Sequence, residues 1–221
     1  MIEFRNVCKT YDVNEGPVFE DFNAGIKDGE FILVTGKSGS GKSTLIKMLL
    51  RETEPDSGEI VVSKRALSKI TPSGIPQYRR GIGVVFQDFR LFEDYNVYGN
   101  LEFVYSLQGG SKKEAENRIT SVLRLIGIDH LHKRYPKELS GGEKQKVCVA
   151  RAIINSPSLV LADEPTGNLD PASSAEIFRL MELIHRQGTT VIMATHDLST
   201  AARLKTSGRQ IDLDLMLFSE L

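Results

Sequence analysis

The chain has 221 residues, 40% of them apolar and 26% charged, with a formal net charge of −1. That length suits one domain, or a domain carrying a small subdomain, and the composition is that of a globular protein. A near-zero net charge argues against a nucleic-acid binder that works through a broad basic surface.

Two cysteines, Cys8 and Cys148, lie far apart in the sequence and form no close-set Cys/His cluster of the zinc-binding kind, so two buried free thiols are expected. The first residues, Met1 to Val7, show no basic segment followed by an apolar core, so no signal peptide is expected. No apolar run approaches the roughly 20 residues needed to span a bilayer. Membrane association is therefore expected to run through a partner.

Along the chain, short apolar runs alternate with helical patterns, which predicts an α/β fold. Residues 31–35 read as a strand and 45–50 as a helix. Strands are expected at 83–87, 159–162 and 190–194. Their continuous apolar character suits a parallel sheet covered on both faces. Between 96 and 126 the apolar residues Leu101, Val104 and Tyr105, then Ile119, Val122, Leu123 and Ile126, recur at helical spacing. Gly109-Gly110-Ser111 separates two helices there, the mark of a helical subdomain inserted into the core.

Three strand ends carry candidate chemistry. Gly36-Lys37-Ser38-Gly39-Ser40-Gly41-Lys42-Ser43 matches the phosphate-loop pattern and lies between a predicted strand and a predicted helix. Its glycines let backbone N–H groups wrap phosphate oxygens, and the helix start adds its positive dipole end. Lys42 then reaches the β- and γ-phosphates, and the Ser43 hydroxyl is a Mg²⁺ ligand. The second end is Asp163-Glu164, after strand 159–162. By itself this is as well explained as a solvated strand end or a helix cap. With a phosphate loop upstream, Asp163 becomes a Mg²⁺ ligand and Glu164 the general base for the attacking water. The third is His196, just past strand 190–194, either structural or a γ-phosphate contact.

Leu139-Ser140-Gly141-Gly142-Glu143-Lys144-Gln145 opens a further helix. Ser140 and Glu143 form a capping-box pattern that would stabilise any helix start. Two glycines there also leave N–H groups open to an anion, although the chain already owns a phosphate loop.

Taken together, the motifs and their order resemble the ABC ATPase family over nearly the whole chain. Residues 36–44, including Thr44, resemble Walker A, and Gln87 the Q-loop glutamine. Residues 139–145 resemble the ABC signature and 159–164 Walker B. Asn168-Leu169-Asp170 resembles the D-loop, and His196 the switch histidine. Tyr11 stands where the family places an aromatic that stacks on adenine.

The resemblance implies a P-loop NTPase core with a mostly parallel sheet, an N-terminal antiparallel β subdomain and an inserted helical signature subdomain. On that reading residues 1–221 are one cassette, with 1–90 and 157–221 as core and 91–156 as the helical part. It implies MgATP as cofactor, Gln87 as a further metal contact, and a head-to-tail dimer. In that dimer Ser140, Gly141 and Gly142 touch the γ-phosphate bound to the other subunit, and Asp170 lies at the nucleotide.

Ile75-Pro76-x-x-Arg79-Arg80 and Phe86-Gln87-Asp88-Phe89-Arg90-Leu91 resemble the bacterial cell-division branch of the family. This implies an integral membrane subunit of the FtsX type and a peripheral place on the cytoplasmic face of the plasma membrane. The alternative is an ATPase of the lipoprotein-release or macrolide-export branch, which shares residues 162–170. A nucleotide kinase would explain the phosphate loop and Asp163 but neither residues 139–145 nor His196. Leu91 and Phe92, within an aromatic run flanked by acids, are expected to line a partner-binding groove, or else to pack the helical subdomain. The tail after His196 lacks the family's usual glycine-turn hairpin.

Overall fold

In the computed structural model, described for residues 1–12, 16–196, 208–214 and the backbone of 217–220, the chain divides into two compact units, Met1–Arg79 with Ile192–Leu221, and Arg80–Val191.

The first unit opens with β1 (Ile2–Lys9) and β2 (Phe19–Ile26), paired antiparallel. Alternate residues point inward, so Ile2, Phe4 and Val7 meet Phe22, Ala24 and Ile26 in the core. Next come β3 (Phe31–Thr35), buried at every position, and α1 (Lys42–Leu49). Total burial of β3 is what a strand covered on both faces requires. Then β4 (Ser57–Val62) and the short β5 (Arg65–Ala66) complete an antiparallel sheet in the order β2-β1-β4-β5. Helix α2 (Ile75–Arg80) follows. Tyr78 Oη donates to Leu49 O at 2.6 Å, and Arg79 donates to Leu50 O at 2.7 Å and Arg51 O at 3.0 Å. These side chains satisfy carbonyls that the end of α1 leaves open.

The second unit holds β6 (Ile82–Phe86), α3 (Val97–Ser106), α4 (Lys112–Ile126), α5 (Gly141–Ile153), β7 (Leu159–Asp163) and α6 (Pro171–Arg186). Strands β6 and β7 are parallel, with Phe86 opposite Asp163 at their carboxyl ends. Helix α5 lies directly on β6, because a Cβ at Gly83 would stand 2.3 Å from Ala152 O. The Gly109-Gly110-Ser111 break separates α3 from α4 as expected, and Ser111 and Glu114 cap α4 reciprocally. Arg118 of α4 donates to the carbonyls of Ile153 and Ile154 at the end of α5, at 2.9 and 2.8 Å.

Strand β8 (Thr190–Ala194) starts in the second unit, where Thr190 N donates to Ser158 O at 3.0 Å. It ends in the first, where Thr195 N donates to Val34 O at 2.9 Å. β9 (Gly208–Asp212) then pairs parallel with β3, and β10 (Leu217–Glu220) pairs antiparallel with β9. The tail thus does form a hairpin: after β9, Asp214 N donates to Asp212 Oδ1 at 3.0 Å, an Asx-type turn, while Leu213 is buried. The expected pair of buried thiols is also corrected. Both cysteines are free, but only Cys148 is buried, and Cys8 is half-exposed. Among the described residues no helix is long and apolar enough to cross a membrane.

Candidate nucleotide site

The sequence-predicted site residues divide between the two units. The first holds the phosphate loop, which leaves the carboxyl end of β3. Gly36 has φ 146°, and a Cβ there would lie 2.3 Å from Ser40 Oγ; Gly41 has φ 99° and packs against Val18 and Phe19. Both positions exclude any other residue. Lys37, Ser38 and Gly39 are exposed along the loop, whereas Lys42 is 6% exposed and Thr44 is buried. Lys42 Nζ donates to Gly36 O and Lys37 O, each at 2.8 Å.

Three features of this loop favour an anion. Helix α1 has no side-chain N-cap and no acid in its first turn, so its leading N–H groups and dipole end face the loop. By contrast α3, α4, α5 and α6 each have a capping side chain, from Asn96, Ser111, Ser140 and Asp170. In addition, Ser40 Oγ is buried with no hydrogen-bond partner among the described residues, which is costly unless a ligand supplies one. Ser43, half-buried in the first turn of α1, completes the predicted set there. His196 is exposed two residues past β8, on the same strand that bonds β3 at Val34. Tyr11 is 58% exposed, with Lys9 Nζ 5.3 Å from its ring centroid.

The second unit collects the remaining residues at one edge. Gln87 and Glu164 follow Phe86 and Asp163, which face each other across β6 and β7, so the two side chains leave the sheet at one level. Glu164 has φ 46°, a left-handed conformation that a non-glycine residue adopts only under constraint. Gln87 Nε2 donates to Asn168 Oδ1 at 3.3 Å, and a Cβ at Gly167 would come within 2.8 Å of that nitrogen. Asp170 is the N-cap of α6, accepting from Ala172 N and Ser173 N at 3.0 Å each. The Ser173 hydroxyl, followed by these backbone bonds, holds the Asp170 carboxyl below its ordinary range.

The signature residues form the capping box anticipated from their spacing. Ser140 N and Oγ both donate to Glu143 Oε2 at 2.8 Å, and Glu143 N donates back to Ser140 Oγ at 3.3 Å. Gly142 packs closely on α6, since a Cβ there would stand 2.6 Å from Ser173 Oγ and 3.0 Å from Ser173 Cβ.

Among the described residues no three acidic, histidine or cysteine side chains cluster to cage a metal.

One set of contacts along α5 escaped the sequence reading. Gln145, Cys148 and Arg151 rise three apart along α5 and grip the segment after β6. Gln145 Nε2 donates to Phe86 O at 3.3 Å, Cys148 Sγ to Phe89 O at 3.1 Å, and Arg151 to Phe89 O at 2.8 Å and to Arg90 O. Phe89 and Arg90, with φ 61° and 49°, are held left-handed by these bonds. Burial pushes the Cys148 thiol up to about 12, which marks it as a donor and not a nucleophile.

The aromatic run singled out in the sequence is exposed at Phe92 and Tyr95, and it takes in Phe103 of α3, which the sequence reading did not include. Phe92, Tyr95 and Phe103 are 39, 47 and 41% exposed, with ring centroids 4.9 to 6.3 Å apart. Leu91 is half-buried beside them in sequence. Phe103 lies on the face of α3 opposite the residues that defined its apolar spacing, so its pairing with Phe92 had no periodic signal.

A strand–phosphate loop–helix unit, a strand-end Asp-Glu pair and a glycine-started signature helix together define an ATP-binding cassette ATPase. In agreement, the family model described as ABC transporter matches residues 19–167, and the chain belongs to that family. Over residues matched almost end to end, its curated relatives include the "Cell division ATP-binding protein FtsE" of Mycobacterium tuberculosis, 46% identical across 89% of this chain and 86% of that one. The FtsE of Escherichia coli is 39% identical across 92% and 91%. Among solved structures, the ATP-binding cassette MJ0796, in a dimeric post-hydrolysis state bound to ADP and Pi, superposes with a TM-score of 0.84. It is 32% identical, covering 96% of this chain and 94% of that one.

Proposed function

We propose that this ATPase is the FtsE-type subunit of a cell-division complex, a single cassette over 1–221 that dimerises head to tail on MgATP and signals through a membrane subunit of the FtsX type. The dimeric state and bound ADP and Pi of MJ0796, and the shared name of the relatives, support this reading. The observation that carries it is the exposed aromatic face of Phe92, Tyr95 and Phe103, a few residues beyond Gln87. A contiguous apolar patch beside acids such as Glu93 and Asp94 is what a partner-binding surface with a polar rim looks like.

In this reading the loop from Gly36 to Thr44, through the amides that the chain's own groups leave open, and the dipole end of α1 take up the triphosphate. Lys42 exchanges the Gly36 and Lys37 carbonyls for the β- and γ-phosphates. Tyr11 stacks on adenine by one face. Mg²⁺, when bound, neutralises the phosphate charge, held by Ser43, Asp163 and Gln87. Glu164 orients the attacking water and takes its proton, and His196 contacts the γ-phosphate. Ser140, Gly141 and Gly142 meet the γ-phosphate of the other subunit, with Asp170 beside it. The protein is peripheral on the cytoplasmic face of the plasma membrane.

Cell fractionation with and without the FtsX-type subunit tests the partner. Wild type is expected in the membrane fraction only when that subunit is present. Phe92→Asp is expected to stay in the soluble fraction while still binding ATP. Retention of the mutant at the membrane, or of wild type without the subunit, refutes the assignment.

A further inference from the structure

We infer that Asp214, at the turn of the C-terminal hairpin, is a positioning residue for the phosphate loop. Asp214 Oδ2 accepts a hydrogen bond from Lys37 N at 3.0 Å, joining positions 177 residues apart. The register of the sheet delivers it there. β9 runs parallel to β3 with Asp212 opposite Thr35, Leu213 N donates to Thr35 O at 3.0 Å, and Gln210 Nε2 donates to Thr35 Oγ1 at 2.8 Å. The hairpin therefore turns where the chain leaves β3 for the phosphate loop. The Asx-type bond from Asp214 N to Asp212 Oδ1 then sets the side chain's root. On its other side, Asp214 Oδ1 lies 3.5 Å from where a Cβ on Gly36 would stand.

The consequence is chemical. A phosphate loop binds by N–H groups aimed inward, and here the first of them, Lys37 N–H, is already taken by the chain's own carboxylate. That bond does not serve the nucleotide; it orients the Gly36–Lys37 peptide. The carbonyls of those same two residues receive Lys42 Nζ. Asp214 thus acts through the Lys37 peptide on the resting place of the lysine that must reach the phosphates. A freely rotating peptide would have to be ordered at the moment of binding, and that cost would appear as weaker affinity.

The inference rests on the loop being the ATP site, and the test separates the two. Binding of a fluorescent, non-hydrolysable ATP analogue with Mg²⁺ is measured on the full chain for Asp214→Ala, Asp214→Asn and, as control, Lys42→Ala. Asp214→Ala is expected to weaken binding roughly tenfold, the weight of one hydrogen bond to a charged acceptor at an exposed position. Asp214→Asn keeps an acceptor oxygen and is expected to bind within about twofold of wild type. Turnover at saturating ATP should be retained in both, so that the effect falls on KM. Hydrogen exchange of the Lys37 amide, read without nucleotide, should be fast in Asp214→Ala and protected in Asp214→Asn. Wild-type affinity in Asp214→Ala, or equal weakness in Asp214→Asn, overturns the inference. Wild-type affinity in Lys42→Ala instead overturns the assignment of the loop itself.

Discussion

Asn100 is fully buried in the first turns of α3 and holds the backbone under the exposed aromatic face. Its Oδ1 accepts from Phe92 N at 2.9 Å, and its Nδ2 donates to Phe92 O, Tyr95 O and Asn96 O at 3.1, 3.0 and 3.1 Å. Asn100→Ala removes all four bonds. Asn96 O keeps its helical bond from Asn100 N and Phe92 O keeps its bond from Tyr95 N, so the loss falls on Phe92 N and Tyr95 O. A typical intramolecular hydrogen bond contributes about 1 kcal/mol net, and a buried group left unpaired costs about 1 to 3 kcal/mol. Phe92 and Tyr95 stand at the surface, where water repays part of that cost. A loss of about 2 to 4 kcal/mol follows.

Urea unfolding followed by far-UV circular dichroism measures it, since the chain has no tryptophan. Hydrogen exchange at Phe92 N reports the loop itself. Asn100→Asp offers a sign test: at neutral pH the new carboxylate still accepts from Phe92 N but faces three carbonyls. Its folded pKa is therefore raised, and the variant should recover stability as the pH falls and the acid becomes a donor. A change below about 0.5 kcal/mol in Asn100→Ala, with m unchanged, refutes the reasoning.

Glu164→Gln keeps the size of the side chain at its left-handed position and removes the base. It is expected to bind MgATP, lose nearly all turnover, and accumulate as a dimer in size-exclusion chromatography; near-wild-type hydrolysis removes Glu164 from the role. Glu143 is held below its ordinary value of 4.5 by the Ser140 N–H and then the Ser140 hydroxyl. Stability from this box is therefore present above the unfolded carboxylate value and is lost as pH falls through the lower folded one. Thermal midpoints between about pH 3 and 6 should fall less steeply in Glu143→Gln than in wild type, and equal slopes count against the box.

The parts legible in the sequence were those whose signal is local. The strand at 31–35, the loop 36–43 and the two helices around Gly109-Gly110 declare themselves by apolar runs, glycines and spacing, and the structure places them within a residue or three. The Ser140–Glu143 box is equally local. What was hidden depends on partners far along the chain. Asp214 looked like one acid in an unremarkable tail, because its role exists only once β9 adds to β3 in one register. The donor roles of Arg151 and Cys148 carry no local signal, because they exist only where Phe89 and Arg90 take left-handed backbone whose carbonyls need donors.

One consequence of that long-range bonding bears on how the second unit works. The signature glycines begin α5, and Gln145, Cys148 and Arg151 on the same helix grip the carbonyls of Phe86, Phe89 and Arg90. Gln87 lies inside the gripped segment, and the loop held by Asn100 starts immediately after it. Two strained residues, Phe89 and Arg90, persist only because α5 over-determines them. A displacement of the helix start therefore cannot be absorbed in the segment without breaking several hydrogen bonds at once. In the proposed cycle, contact of Ser140 to Gly142 with the nucleotide of the other subunit would move Gln87 and the Phe92 face with α5, as one piece.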